Sequence, residues 1–458
     1  MTWRRHGVRV TLIVAATIAF AVAQTPGSSS AAASPTAQTA TAPPGRLIRV
    51  PEDVPTPQAA IDAAQPGDVI LLAAGTYAGG LIVPPTKPDL TIRGVDRAAV
   101  VFDGKGAELN AIEIQADRVT LENLSGHDFD ANAFYWEKVD GFTGRYLTVW
   151  NVSLYGIYAT ESRGGLFEQS LVSGAADAAF YVGECQPCDT TIRNVEGRLS
   201  AIGYSGTNTG GGLELLDSTW DRNGTGILPN SYDGQALPPP ETDSRIEGNT
   251  VRGSGTVPVP ANTPLAGFIG MGIGVAGGNA NTIVGNTVSG SAAYGIALYP
   301  TIQLDLSAYA PQDNQVRGNT LAGSGKADLA LARGVAAGNC FAANTHVTSL
   351  PAKIEEILPC EGQAGSTDGD ASVADDLAVS VPDALDRLAL GGPRPDWRSM
   401  PAPEAQPTSP DELPAGLRSF RPDDRGPIVV ASVVAVLSVI GIILVARRRR
   451  RRTNDHTV

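Results

Sequence analysis

Short apolar segments recur through the middle of the chain, and an asparagine marks most of them. The three most similar copies start at Gly248-Asn249-Thr250, Gly285-Asn286-Thr287 and Gly318-Asn319-Thr320, and each copy ends with Gly-Ser. Their steps of 37 and 33 residues are longer than the step of 23 residues from Asn194 to Asp217, which take the same place in the motif. A repeat of this length with insertions in some copies is typical of a solenoid.

A second motif lies between the asparagine segments and contains small residues followed by alternating apolar residues. Two of its copies are Tyr155-Gly156-Ile157-Tyr158 and Gly272-Ile273-Gly274-Val275. This alternation predicts short, half-buried strands, which we expect to coil so that each turn of the chain bonds to the turns above and below it. Asn249, Asn286 and Asn319 should satisfy backbone groups and bond to each other between turns, which is a structural role.

The N-terminal part predicts a strand at Arg46–Val50 and a short helix that begins after Thr56, with Pro57 at its first position. Gln58 to Asp68, followed by Ala74-Gly75-Thr76-Tyr77, resembles the opening of bacterial right-handed parallel β-helix proteins of the pectate-lyase-like superfamily. The resemblance implies an all-β solenoid. It leaves the activity open, because the superfamily includes lyases, hydrolases, epimerases, adhesins and inert surface proteins.

The two ends of the chain predict export and membrane attachment. Arg4, Arg5 and Arg9 precede a short apolar run, as in a secretory signal. Residues 427–446 carry no charge and are long enough to cross a bilayer, and six arginines follow, which favours a cytoplasmic end. Leu413-Pro414-Ala415-Gly416 resembles a sortase signal but lacks the threonine at the cleavage point, so we expect a retained helix.

The predicted organisation is therefore a right-handed parallel β-helix with a short N-terminal capping helix, a C-terminal Pro-rich stalk and one transmembrane helix. We place its parts as follows: signal peptide 1–23, disordered leader 24–45, β-helix 46–360, C-terminal cap and Pro-rich linker 361–426, transmembrane helix 427–446 and basic cytoplasmic tail 447–458. The expected location is the cell membrane, with a single pass and the bulk of the chain outside.

Composition and charge limit the classes of molecule that the protein is expected to bind. With 52 glycines, 33 prolines and only 18% charged residues, the chain is unlike a helical bundle. Residues 24–426 hold 25 basic and 46 acidic side chains, which disfavours nucleic acid. The same charge disfavours acidic polysaccharides unless calcium bridges them to the protein. We expect no diffusible cofactor. Calcium is the one ion that could contribute to ligand binding.

Four cysteines in an exported chain favour disulfides, which we assign as Cys185–Cys188 and Cys340–Cys360. A thioredoxin-type redox role for the first pair would need a helix N-terminus, and the flanking residues predict strands. We expect no zinc site, because His127 is remote from both cysteine pairs.

One candidate site lies between two long insertions at one corner of the coil, the first from Asn230 to Asp243 and the second from Tyr299 to Asn314. We expect them to frame a groove in which tyrosine rings stack on a neutral glycan while amides and carboxylates bond to its hydroxyls. The groove residues are Glu184, Tyr204, Asn208, Asn230, Tyr232, Tyr299 and Asp305. The alternative is that the tyrosines shield the core and the carboxylates are merely solvated.

A second candidate site, between His127 and Arg145, has the residue types for proton abstraction beside a uronic-acid carboxyl group. His127, Lys138 and Arg145 could supply the base and the neutralising cation, together with Tyr135. The alternative is an ordinary polar turn. The paired motifs of polygalacturonases and the Asp-Pro-His-Glu motif of mannuronan epimerases are not in the sequence.

We therefore expect a membrane-tethered extracellular β-helix that binds carbohydrate or another component of the cell envelope. Two alternatives stay open. One is a carbohydrate-active enzyme, either a polysaccharide lyase or an epimerase. The other is a structural surface protein or adhesin without a small-molecule site.

Overall fold

The computed structural model describes residues 45–262, 270–303, 307–335, 337–362, 365–377 and 394–421. The predicted signal peptide, the leader up to residue 44, the transmembrane segment and the tail lie outside these residues. Among the described residues, none of the helices combines the length and apolar character needed to cross a membrane.

The described residues form a parallel β-helix with three strand-lined faces. Strands are numbered in chain order. Face one contains β1 Arg46–Val50, β2 Val69–Leu72, β5 Thr91–Gly94, β8 Val119–Phe129, β10 Asp140–Val152, β12 Arg163–Glu168, β15 Thr190–Arg193, β18 Gly210–Leu216, β21 Thr242–Glu247, β24 Thr282–Val284, β29 Gln315–Arg317 and β32 Cys340–Ala342. Face two contains β3 Gly75–Ala78, β6 Val100–Asp103, β13 Leu171–Ala175, β16 Glu196–Arg198, β19 Thr219–Asp221, β22 Thr250–Arg252, β25 Thr287–Ser289 and β30 Thr320–Ala322.

Faces one and two form a single sheet because β8 and β10 are long enough to contribute to both. Face three is a separate sheet of β4 Leu81–Val83, β7 Asn110–Ile114, β9 Asn132–Glu137, β11 Ile157–Thr160, β14 Ala178–Gly183, β17 Ile202–Thr207, β20 Thr225–Asn230, β23 Met271–Ala276, β26 Tyr294–Tyr299, β31 Ala327–Leu331 and β33 Ser349–Leu350. The remaining elements are the antiparallel pair β27 Thr301–Ile302 and β28 Ala308–Tyr309, β34 Arg418–Ser419, helices α1 Pro57–Ala63, α2 Ile354–Ile357 and α3 Ala371–Leu377, and a 3₁₀ turn at Trp397–Ser399.

Asparagine side chains stack from rung to rung as predicted. The Nδ2 atom of Asn249 donates to Oδ1 of Asn286 at 3.0 Å, and Nδ2 of Asn286 donates to Oδ1 of Asn319 at 2.9 Å. The ladder continues to Asn344 and ends at Glu355 in α2, whose Oε1 accepts from Nδ2 of Asn344 at 2.7 Å. The last rung therefore presents its amide donors to a carboxylate.

The first rung is closed by the predicted helix. Thr56 is the N-cap of α1, and its hydroxyl accepts from the backbone N–H of Ala59 at 3.2 Å. Ile61 buries its side chain over the coil. Beside it, the buried Arg46 guanidinium donates from Nε to Asp68 Oδ2 at 3.0 Å, so neither buried charge is unpaired.

Both predicted disulfides are confirmed. Cys185–Cys188 closes a turn at a corner of the coil, and Cys340–Cys360 ties the last strand of face one to the residues after α2.

The Pro-rich segment forms a strap rather than the predicted stalk. Its described residues, 394–421, lie along faces one and two, and β34 pairs in parallel with β1. Ser409 donates its N–H to the buried Asn123 Oδ1 at 2.8 Å, and Glu404 pairs with Arg198 at 2.9 Å. Arg421 is therefore close to the N-terminal rung, because Phe420 donates its N–H to the carbonyl of Leu47.

Candidate functional site

The structure does not bring the predicted catalytic residues together. His127 lies on face two, Arg145 on face one, and Lys138 at the corner after β9 of face three. Lys138 is 60% exposed and pairs with Glu137 at 2.8 Å and Glu161 at 3.3 Å. No hydrogen bond or ion pair joins His127, Lys138 and Arg145 within the part of the chain that the structure describes.

Arg145 belongs to a column of charges that runs along face one. Its guanidinium lies 3.3 Å from Oε2 of Glu122, which also receives Arg93 at 3.4 Å from the preceding rung. Glu122 is 1% exposed, and Asp411 of the strap pairs with Arg145 at 2.8 Å. These partners hold Arg145 in place, and its positive charge is already paired with two carboxylates rather than available to a substrate carboxylate.

The predicted groove is wrong for Tyr204. Its side chain is fully buried inside the coil against Trp220, with ring centroids 6.4 Å apart, and its hydroxyl donates to the carbonyl of Val182. Tyr204 takes the position that Ile227 takes on the next rung, which points inward. For Tyr204, the alternative interpretation, in which the tyrosines belong to the core, is therefore correct.

Two of the predicted groove amides hold the first insertion in place. Asn208 Nδ2 donates to the carbonyls of Tyr232 and Leu237 at 2.7 and 2.8 Å, and its Oδ1 accepts from the N–H of Tyr232. Asn230 is buried, and its Oδ1 accepts from the Thr207 hydroxyl at 2.8 Å. Neither amide is exposed for a ligand.

The two insertions share a corner but fill the space between them. The Tyr309 hydroxyl donates to Asp233 at 2.8 Å, and Gln303 accepts from the N–H of Asp233 and donates to the carbonyl of Ser231. Tyr299 is fully buried below them, and Asp305 lies outside the described residues. Glu184 accepts from the N–H of Ala236, and with Lys138 it lines a depression of about 390 Å³ at the corner.

The strongest candidate site is a row of tyrosines on the outer surface of face three. Tyr135, Tyr158 and Tyr181 occupy the same register position on β9, β11 and β14. Their neighbours Phe134, Trp136, Ile157, Ala159, Phe180 and Val182 are fully buried in the core. Side chains alternate along a strand, so the three tyrosines point away from the coil.

The tyrosine rings contact one another along the coil axis. Tyr135 and Tyr158 stack with centroids 4.7 Å apart, and Tyr158 lies 5.0 Å from Tyr181. Tyr155, from the turn before β11, stacks on Tyr158 at 4.6 Å. We call Tyr135, Tyr155, Tyr158 and Tyr181 the tyrosine face. Tyr135, Tyr155 and Tyr158 remain partly exposed.

Amide and carboxyl groups surround the tyrosine face. Glu113 pairs in register with Tyr135 and accepts from Gln115 Nε2 at 2.7 Å. Asn132 accepts from the N–H of Tyr155 at 3.2 Å. Together with Glu137 and Glu184, these groups make the rim acidic and rich in hydrogen-bond acceptors.

Asp177 is the titratable group that stands out beside the tyrosine face. It is 4% exposed, its Oδ1 has no hydrogen-bond partner, and Tyr155 lies next to its carboxyl group. Burial raises the pKa of Asp177 from 3.8 to about 7, although the Tyr155 hydroxyl lowers the pKa in part. A carboxyl group with this pKa can give or take a proton near neutral pH.

The tyrosines themselves are protonated at neutral pH. Burial raises the pKa of Tyr158 to about 12 and raises those of Tyr155 and Tyr181 further above their ordinary value. Their hydroxyls can therefore both donate and accept hydrogen bonds.

A signal for the tyrosine face was present in the sequence. Tyr135, Tyr158 and Tyr181 are spaced by 23 residues, which is one rung without insertion. Asp177 gave no such signal, because one acidic residue at the start of a strand has no pattern.

Comparison with known proteins confirms the resemblance to right-handed parallel β-helix proteins. The family model described as right handed beta helix region matches residues 132–321, which include the whole tyrosine face. No curated protein matches the sequence.

Several solved structures are similar to this chain. The A-module of mannuronan C-5 epimerase AlgE6 from Azotobacter vinelandii has 15% identity and a TM-score of 0.42, over 64% of this chain and 92% of that one. The AlgE4 A-module from the same organism has 16% identity and a TM-score of 0.44, over 63% and 89%. An alginate lyase from Paenibacillus sp. str. FPU-7 has 14% identity and a TM-score of 0.41, over 66% and 99%. Similarities this weak transfer neither an activity nor a substrate.

Proposed function

We propose that the tyrosine face binds a polysaccharide chain. The observation that carries the proposal is the stack of tyrosines at one register position on consecutive rungs, of which Tyr135 and Tyr158 are partly exposed on the outside of the coil and Tyr181 is buried beside them. Consecutive parallel strands lie about 4.8 Å apart, so the three rings form a strip along the coil axis. Aromatic surfaces with polar tips suit sugar rings, which combine apolar C–H faces with hydroxyl groups.

The charges around the tyrosine face favour a neutral glycan. Glu113, Glu137 and Glu184 lie at its rim, and the nearby Lys138 is already paired with two carboxylates. A uronic-acid polymer would meet repulsion here unless a cation bridged the two. The separation of His127, Lys138 and Arg145 argues against that group as the active site of the lyase or epimerase alternative.

The test is a glycan-binding screen with the full chain, followed by calorimetry with the best glycan. Tyr135→Ala and Tyr158→Ala should weaken binding, while Tyr309→Ala, on the second insertion, should leave it unchanged. Unfolding midpoints would show that all three variants fold. If binding is lost only in Tyr309→Ala, the glycan binds at the insertions instead.

A second candidate function is that of a carbohydrate-active enzyme on the same face, and Asp177 is the observation that favours it. A buried carboxyl group with a pKa of about 7, next to a protonated tyrosine, has the properties of a general acid or base. Incubation with the bound glycan, followed by chromatography of the products, tests this function. Asp177→Asn should abolish product formation while preserving glycan binding. If the wild-type chain leaves the glycan intact, the protein binds the glycan without acting on it as an enzyme.

We also propose, from the sequence, that the protein is exported and held in the cell membrane by residues 427–446. Fractionation of cells that express the full chain should place it with the membranes, and external protease should cleave it in intact cells. A chain truncated after residue 426 should be released. Retention of that truncated chain would contradict the proposed helix.

A further inference from the structure

A group of metal-binding side chains lies on face two, away from the tyrosine face. Asp103 on β6 and His127 on β8 are paired in register on adjacent rungs, and Asp128 follows His127. His127 Nδ1 lies 2.9 Å from Asp128 Oδ2 and 3.9 Å from Asp103 Oδ1. The three donor atoms are all within 4.8 Å of one another, and each residue is partly exposed.

The three donors can enclose one metal ion after a small adjustment. An ion about 2.1 Å from each ligand atom requires those atoms to be about 3.0–3.4 Å apart. The distance of 2.9 Å between His127 and Asp128 lies just below that range, and the distance of 3.9 Å between His127 and Asp103 lies above it, so binding would draw Asp103 and His127 about 0.5 Å closer together. Asp103 Oδ1 also accepts from the N–H of Lys105 at 2.8 Å, which fixes its carboxylate and leaves a further lone pair. The other oxygen of Asp128, Oδ1, is buried and has no hydrogen-bond partner, and an ion bound through both oxygens of the carboxylate would satisfy it.

Neighbouring groups hold the imidazole in position without blocking it. The indole of Trp150 stacks on the His127 ring at 4.4 Å from the next rung. The nearby cation Arg398 pairs with Asp130 at 3.3 Å and lies over the Trp397 ring, so its charge is engaged outside the group.

We propose that Asp103, His127 and Asp128 bind a divalent transition-metal ion such as zinc, cobalt or nickel. One imidazole nitrogen and two carboxylates form a mixed nitrogen and oxygen donor set, which suits these ions better than calcium, since calcium prefers oxygen ligands alone. Water would complete the coordination, because the group lies on the surface. From the sequence no metal site was expected here, since Asp103 joins His127 only through the register of the coil.

Trp150 provides the readout. Cobalt and nickel quench the fluorescence of a nearby indole, so titration of either ion into the full chain, prepared without a histidine tag, should give saturable quenching. His127→Asn and Asp103→Asn should each weaken binding by tenfold or more. Asp140→Asn, an exposed acid on face one that pairs with Arg163, is the matched control and should bind like the wild type.

Calorimetry with zinc distinguishes a variant that has lost a metal-binding side chain from one that has lost only the fluorescence of Trp150. Trp150→Phe should remove most of the quenching but retain zinc binding, with circular dichroism confirming the fold of each variant. The proposal is overturned if the wild type shows no saturable binding, or if His127→Asn and Asp103→Asn bind as tightly as Asp140→Asn. None of these readouts involves a glycan, so a negative result for the metal site would not bear on the proposal that the tyrosine face binds polysaccharide.

Discussion

Tyr158 stacks on Tyr135 one rung before it, with ring centroids 4.7 Å apart and planes 14° from parallel. Both side chains point away from the coil, so their stacking does not contribute to packing of the core. The pair forms an aromatic surface whose position is fixed by the register of β9 and β11. A rigid surface of this kind binds a ligand without the cost of ordering loops.

The ring of Tyr158 should matter more for glycan binding than its hydroxyl. Tyr158→Ala removes the middle of the strip and should weaken binding about tenfold, or about 1.4 kcal/mol. Tyr158→Phe keeps the ring and should cost about threefold or less. Calorimetry on both variants checks this, and a larger loss in Tyr158→Phe would show that hydrogen bonding rather than stacking dominates.

Asp177 should make the fold less stable as the pH rises from about 4 to about 7. Its pKa is raised from 3.8 to about 7 in the folded chain, so over this range the folded state holds a proton that the unfolded state has lost. Above pH 7 both states are ionised and the effect is constant. Asp177→Asn should thus raise the unfolding midpoint at pH 8, by the equivalent of about 4 kcal/mol, and change little at pH 4.

The control for this prediction is Glu52→Gln, an exposed acid with a weak partner at 3.7 Å. Its unfolding midpoint should follow the wild type at every pH. If the effect of Asp177→Asn is the same at pH 4 and pH 8, burial does not shift the pKa of this carboxyl group.

Loss of one rung of the asparagine ladder should destabilise the coil. Asn286→Ala removes the acceptor for the N–H of Asn249 and leaves the carbonyl of Ile246 without its donor. Buried groups that lose their partners typically cost about 1–3 kcal/mol each. Thr287→Ala, at the next and exposed position, should have little effect on denaturant unfolding. Equal midpoints for the two variants would mean that the ladder adds little stability.

The strap should depend on one backbone donor at Ser409. Ser409→Pro removes the N–H that donates to Asn123 Oδ1, while Ser409→Ala keeps it. The proline variant should be cleaved faster by added protease between residues 401 and 416, and mass spectrometry would locate the cut. If the wild type is cut there as fast as the proline variant, the segment is a free linker, as the sequence suggested.

The elements that the sequence predicted best are those that repeat. Asn249, Asn286 and Asn319 recur in nearly identical segments, so both the coil and the ladder could be inferred. Tyr204 could also have been placed in the core, because Gly203-Tyr204 occupies the same motif position as Gly226-Ile227. A groove between insertions could not be tested in this way, since insertions have no periodicity.

Three other features depend on contacts that cannot be inferred from sequence patterns. The strap is Pro-rich and has no repeat, and it is positioned by single bonds such as that between Ser409 and Asn123. The pairing of Asp103 with His127 requires knowledge of the register between β6 and β8. Asp177 has an unusual pKa only because of burial, which follows from tertiary structure.

Hydroxyl-radical footprinting tests the proposed glycan surface most directly, because tyrosine oxidation reports the exposure of each ring. With a glycan from the binding screen, oxidation of Tyr135, Tyr155 and Tyr158 should fall at least severalfold, while that of Tyr309 stays constant. Protection of Tyr309 alone, or unchanged oxidation of all four tyrosines under saturating glycan, would contradict the proposal that the tyrosine face binds polysaccharide.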